Sequence, residues 1–269
     1  MKFARRLFAA AFSAVMVFSS TAFGAQSQEA LELYKAVEAK QEAMTDMNAF
    51  YDFKIKISGD MLEAEGLAPM DMRMEMNVKM NHLDQPDQLR LMSYSRVTVP
   101  GEEPITYSQY YLDGYMYADM LGQKVKTPMD IGAMMDQALA SASAFDVSEE
   151  LLDSLNLWAE GENTVIGYII SDAKMNDYIQ MVLGSTGLTG MTDGMDMKLS
   201  NVQGEYVVNP NGDCIKMRMK MDMSMTMDGQ TMNMSMDGDV GIADPGQPVD
   251  VPLPNIAEYV DIAALENGQ

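Results

Sequence analysis

Cys214-Ile-Lys-Met-Arg-Met-Lys-Met-Asp-Met-Ser-Met-Thr-Met227 runs into Asp228-Gly229 and then Gln230-Thr-Met-Asn-Met-Ser-Met236, with Val240 keeping the same phase. A strict period of two places Ile215, Met217, Met219, Met221, Met223, Met225 and Met227 on one face and Lys, Arg, Asp, Ser and Thr on the other. That is the pattern of a half-buried antiparallel strand. Asp-Gly is a favoured two-residue hairpin connection, because its tight turn needs positive φ at both central positions. Met232, Met234, Met236 and Val240 therefore return on a partner strand.

The same phasing occurs earlier in the chain. Met70, Met72, Met74, Met76, Val78 and Met80 alternate with Asp71, Arg73, Glu75, Asn77 and Lys79, and Phe53, Ile55 and Ile57 alternate with Lys54 and Lys56. Residues 89–99 and 105–112, rich in Tyr, Val and Thr, continue as strands, and Asp113-Gly114 sets a second hairpin before Tyr115-Met116-Tyr117. The echo between Met70-Asp-Met-Arg-Met-Glu-Met76 and Met217-Arg-Met-Lys-Met-Asp-Met223 fits either an internal duplication or convergent alternation.

Other segments follow a helical period. Residues 27–47 carry Leu33, Val37, Met44 and Met47 on one stripe. Thr127-Pro128-Met129-Asp130 offers an N-cap, a Pro for the first helical position and an early acid, ahead of Ile131, Met134, Met135, Ala138, Leu139 and Ala142 on one face. Ser148-Glu149-Glu150 opens a second expected helix, with Leu151, Leu152 and Leu155 inward, ending near Trp158. After a strand over 164–170, Ser171-Asp172 caps a third, with Met175, Tyr178, Ile179 and Val182 inward and Gly184 as its stop. Residues 244–269 read as a Pro-rich extended tail and terminal segment. Helix, strands, helices, strands in that order is α+β: a long antiparallel sheet with a block of helices on one face.

Composition narrows the function. Of 269 residues 47% are hydrophobic, enough for a core, while 40 acidic against 18 basic residues give a formal charge of -22 that repels nucleic-acid backbones. One His and one Cys are too few for ordinary zinc or haem ligation. Met1 to Arg6 is basic, residues 7–18 are apolar and too short for a comfortable membrane span, and Ala22 and Gly24 are small. This is a signal peptide over 1–24, cleaved near Gly24, so the mature protein is expected to be secreted to the extracellular space or cell envelope, a single domain over 25–269 that does not span the membrane. Cleavage removes Lys2, Arg5 and Arg6 and moves the charge to -25. The unpaired Cys214 is expected as a buried thiol.

No carboxylate pair, nucleophile elbow, zinc motif or phosphate-cradling loop is present, so the chain reads as a non-enzyme without a cofactor and with no catalytic or metal residues. The 30 methionines remain to be explained. They can be plain core, although Met is not a favoured strand residue. They can line an adaptable apolar cavity, since an unbranched thioether re-packs readily. Or Met-x-Met pairs can bind Cu(I), a soft ion, although so long a ladder defines no discrete ligand set. The adaptable cavity is the leading reading, lined by Met70, Met72, Met74, Met76, Ile131, Met134, Met135, Leu139, Met217, Met219, Met221, Met223, Met225, Met232 and Met234.

The run Tyr110-Tyr111-Leu112-Asp113-Gly114-Tyr115-Met116-Tyr117, the segment Gly122-Gln-Lys-Val-Lys-Thr-Pro-Met-Asp130 and the late Met-x-Met hairpin resemble a family of secreted or lipid-anchored proteins of Gram-positive bacteria. That family is similar in fold to the LolA/LppX lipoprotein-carrier superfamily, over roughly residues 28–255 of this chain. The resemblance implies a curved antiparallel half-barrel whose concave face is covered by helices enclosing an apolar cavity. A Cys for lipid anchoring is missing after the signal peptide. The resulting expectation is a carrier or sensor of a lipid or other apolar ligand. The alternatives are a structural protein of the cell envelope with a protein partner, and Cu(I) binding.

Overall fold

Alternating apolar and polar side chains form a sheet only when each strand buries its apolar face, and here all the strands of the described residues join one sheet. The computed structural model describes residues 28–64, 66–120, 122–130, 151–177 and 195–262. Helix α1 (Gln28–Glu42) precedes β1 (Met47–Ser58), and the short helix α2 (Asp60–Ala64) precedes a meander of β2 (Met70–Asn81), β3 (Arg90–Thr98), β4 (Ile105–Leu112), β5 (Tyr115–Met120) and β6 (Gln123–Pro128). A second meander contains β7 (Leu152–Glu160), β8 (Asn163–Ile170), β9 (Met195–Val208), β10 (Cys214–Met227) and β11 (Gln230–Ile242), and the chain returns through the 3-10 turn Ile256–Glu258 to β12 (Val260–Asp261). The twelve strands lie in the order β12-β6-β5-β4-β3-β2-β1-β11-β10-β9-β8-β7, open at both ends. The two meanders meet where β1 pairs with β11. All pairings are antiparallel except β12 on β6, which is parallel.

Both Asp-Gly turns form as the sequence predicts. Asp113 and Gly114 have φ of 50° and 78°, and Asp228 and Gly229 have 53° and 77°, so each closes its hairpin, β4–β5 and β10–β11.

Three helix expectations change. The first helix ends at Glu42, and its buried residues are Ala30, Tyr34 and Val37. Met47 instead opens β1 and faces Met80 across to β2. Thr127 and Pro128 do not start a helix; they close β6 opposite Met116 and Tyr115, and Pro is tolerated at the end of a short strand. Residues 152–158 are strand. A bulge between Leu152 and Ser154 puts Leu152 and Leu155 on the same face, opposite Ile170 and Tyr168, so a spacing of three that reads as helical is a strand with one extra residue. The expected helix over 131–142 lies outside the described residues. Residues 172–177 are helical as expected, with Met175 buried.

The tail does more than extend. Val249 accepts from the Asn81 side chain and donates to Asp46, Val251 is buried, and Tyr259 packs on Tyr117 with ring centroids 5.3 Å apart beside Leu112. These contacts tie residues 249–251 to the start of β1 and the end of β2, and residues 259–261 to β4–β6.

Candidate functional site

Register assembles the methionines into one surface. Side chains directly opposite one another on paired strands share a face, so the sheet can be read as rows. One row from β3 to β7 is Val97, Met74, Phe53, Gly238, Met219, Gly204, Tyr168 and Leu155. The next holds Ser95, Met76, Tyr51, Val240, Met217, Tyr206, Ile166 and Leu157. On the other side of the first row come Met72, Ile55, Met236 and Met221, then Met70, Ile57, Met234, Met223 and Leu199. Met232, Met225 and Met197 complete the face near the β10–β11 turn.

All the described residues of the expected lining therefore lie on one face, which we call the methionine face. Ile131, Met134, Met135 and Leu139 fall outside the described residues. Burial divides the rest. Met74, Met76, Met221, Met232 and Met234 are buried, whereas Met70, Met72, Met217, Met219, Met223 and Met225 are half-buried and pack against that core.

Glycines on this face make room for rings. A Cβ on Gly238 would overlap the Phe53 ring, and one on Gly204 would overlap the Tyr168 ring. Met219 stands between those two glycines in its row. Tyr168 stacks obliquely on Tyr206 at 5.6 Å between centroids, and Tyr34 of α1 meets Tyr206 edge-on at 5.5 Å, which docks α1 on the methionine face. Burial pushes the Tyr168 phenol up to about 12 and that of Tyr206 well above its ordinary value, so both are neutral. Tyr51 is raised by the same cause.

The charges are elsewhere. On β1–β6 and β8–β11 every Asp, Glu, Lys and Arg falls on the opposite face. There Arg73 makes a two-pronged pair with Asp52, at 2.8 Å for each bond, and Arg218 spans Glu160 and Glu205 at 2.7 to 2.9 Å. The guanidiniums hold the Asp52 and Glu160 carboxyls below their usual range. Exposed pairs of this kind add little stability. They mark the solvent side of the sheet.

Cys214 is free and buried, and burial pushes its thiol up to about 12, which leaves it protonated and unreactive. Among the described residues no three His, Cys, Asp or Glu side chains group together as a metal site. Met197, Met225 and Met232 stand side by side on adjacent strands, a cross-strand trio that the sequence ladder did not suggest. Sequence reasoning also missed Ser93 and Ser95. Both serines are buried, in phase with Leu91 and Val97 on β3, and among the described residues neither hydroxyl has a hydrogen-bond partner. The signal was legible as polar residues at two apolar-phase positions.

Sheet and face together define a protein with one wide uncharged, thioether-rich surface backed by a charged one. The chain belongs to the family of unknown function DUF6612, whose model matches residues 29–247. No curated protein matches it. Among solved structures it is similar to LprF from Mycobacterium bovis, at 12% identity and a TM-score of 0.39 over 86% of this chain and 99% of that one. It is also similar to the Mycobacterium tuberculosis lipoprotein LppX, at 9% identity and 0.38 over 84% and 100%. A DUF1329 protein from Desulfovibrio piger follows at 10% identity and 0.27, over 89% and 100%.

Proposed function

We propose that this is an exported, non-enzymatic binding protein, one domain following a cleaved signal peptide, that takes up a lipid or another apolar molecule on its methionine face. One observation carries the reading. Met70, Met72, Met217, Met219, Met223 and Met225 share a face with the fully buried Phe53 and Met232, yet remain half-buried. Thioethers left partly open on the core side of a sheet suit a surface that re-packs around a guest. A sheet selected only for stability would place Val or Ile there.

The curved half-barrel with helices over its concave face is part of the same proposal. Residues 129–151 join β6 to β7, the second and the last strands of the sheet order, so this connection runs from one end of the sheet to the other. In this reading its amphipathic stretch lies over the concave side of a curled sheet, and Ile131, Met134, Met135 and Leu139 face the methionines.

Peroxide footprinting tests the site. In protein stripped of bound lipid, Met217, Met219, Met223 and Met225 should oxidise and Met232 should resist; added hexadecane should protect the first four. Equal oxidation with and without hexadecane would count against an apolar site there.

A second reading has its own observation, the trio Met197, Met225 and Met232, which offers three soft ligands to Cu(I). Replacing all three by Leu should abolish competition with a Cu(I) chelator under reducing conditions; unchanged competition removes copper from consideration.

A further inference from the structure

Ser95 is completely buried and Ser93 nearly so, and neither Oγ has a hydrogen-bond partner among the described residues. Leaving a buried hydroxyl unpaired is unfavourable. Alanine would fill either position without that cost, so packing does not account for serine at both. Residues i and i+2 of a strand lie about 6.5 to 7 Å apart on one face, which makes the two hydroxyls a pair aimed from the methionine face.

Their neighbours differ on the two sides. Toward β4 stand Gln109, opposite Ser93, and Tyr107, opposite Ser95, both half-buried. Toward β2 stand Val78 and Met76, and beyond them the thioether rows. A polar strip thus borders the apolar face along β3. From β3 across to β10 is about 19 Å at about 4.8 Å per strand spacing, room for a long acyl chain lying across the rows.

The strip carries no charge. The face of β1–β6 holds no Asp, Glu, Lys or Arg, and residues 131–150 and 178–194 contain no Lys or Arg at all. A phosphate or carboxylate brought here would be desolvated without a counter-charge. A hydroxyl or ester has no such handicap, because serine hydroxyls both donate and accept.

From this uncharged face and its two orphaned hydroxyls we infer that Ser93 and Ser95, with Gln109 beside them, form a head-group site selecting amphiphiles with a neutral hydroxyl or ester head. The inference rests on the apolar-site reading above and specifies the guest's polar end.

The test compares the full chain, freed of co-purified lipid, with Ser93→Ala, Ser95→Ala and the double variant. The probes are dioleoylglycerol, the phosphatidic acid with the same chains, and hexadecane. Dioleoylglycerol should bind at least tenfold more tightly than phosphatidic acid, and the double variant should lose tenfold or more of that affinity while holding hexadecane unchanged. Because the empty protein loses two orphaned hydroxyls, the double variant should also melt higher than the parent, which shows that it folds. Phosphatidic acid binding as well as dioleoylglycerol, or a double variant with undiminished dioleoylglycerol affinity, overturns the head-group site while hexadecane binding leaves the apolar site standing. Failure of all three probes overturns both.

Discussion

Gly238 shows how much a single missing side chain controls. Phe53 lies where a Cβ would stand, so Gly238→Ala forces the ring into its neighbours, and overpacking of this kind costs about 1 to 3 kcal/mol. Urea unfolding should show that loss, and adding Phe53→Leu should recover part of it. The glycine's purpose was not legible in Asp237-Gly238-Asp239, because it depends on a ring 185 residues earlier that only the β1–β11 register brings alongside. The buried titratable groups set a second expectation. Cys214 and Tyr168 have folded-state values raised to about 12, so above their ordinary values the unfolded chain loses its protons first. Stability is therefore intact below about pH 9 and falls as pH rises through the window up to 12. Thermal melts from pH 8 to 11 should show this decline, and Cys214→Ala should remove the part that begins below pH 10. The inert thiol itself was legible, since an unpaired Cys at the head of an alternating strand packs as a small apolar residue.

At the scale of elements, strand alternation was read correctly, helical spacing was right for residues 28–42 and 172–177 and wrong for 152–158, and a bulge accounts for that miss. Leu152 and Leu155 on β7, like Leu199 and Val202 on β9, share a face across three residues because each strand carries a register shift. A period-based reading has no way to see an inserted residue. The β9 irregularity is held by the helical segment 172–177. Asn176 donates to the Leu199 carbonyl and accepts from the Leu199 N–H, both at 2.9 Å, replacing a strand partner, while Asp172 accepts from the Asn201 N–H at 2.8 Å. Asn201 has φ of 54° and reaches Asp222 on β10 at 2.6 Å. Asn176→Leu would leave both Leu199 backbone groups unpaired, at a cost of about 1 to 3 kcal/mol. Hydrogen exchange at Leu199 should quicken well beyond that of the β10–β11 pairing; uniform exchange would mean that the helical segment does not hold the bulge.

The whole molecule separates its chemistry by face. On β1–β6 and β8–β11 the charged side chains stand on the side of the sheet away from the methionines, and the methionine face of those strands is left neutral. The sequence predicted a single Met-lined surface because one hairpin and one strand kept strict phase over long runs. It did not reveal that β1 lies beside β11, the long-range pairing that joins Met74 to Met219 through Phe53 and Gly238, nor that the two serines at apolar-phase positions of β3 are buried without hydrogen-bond partners among the described residues. Replacing Met217, Met219, Met223 and Met225 together by Val should raise the melting temperature, because Val favours strands, while narrowing the range of chain lengths bound. A variant that binds the same range would show that thioether adaptability is not needed. The most direct measurement of the central claim is native mass spectrometry of the protein purified from its own host, before and after organic extraction. The predicted result is a non-covalent mass increment that extraction removes and that the extract returns as a lipid or other apolar molecule. A bare protein mass in both spectra, accompanied by a co-purifying protein partner, would contradict the account.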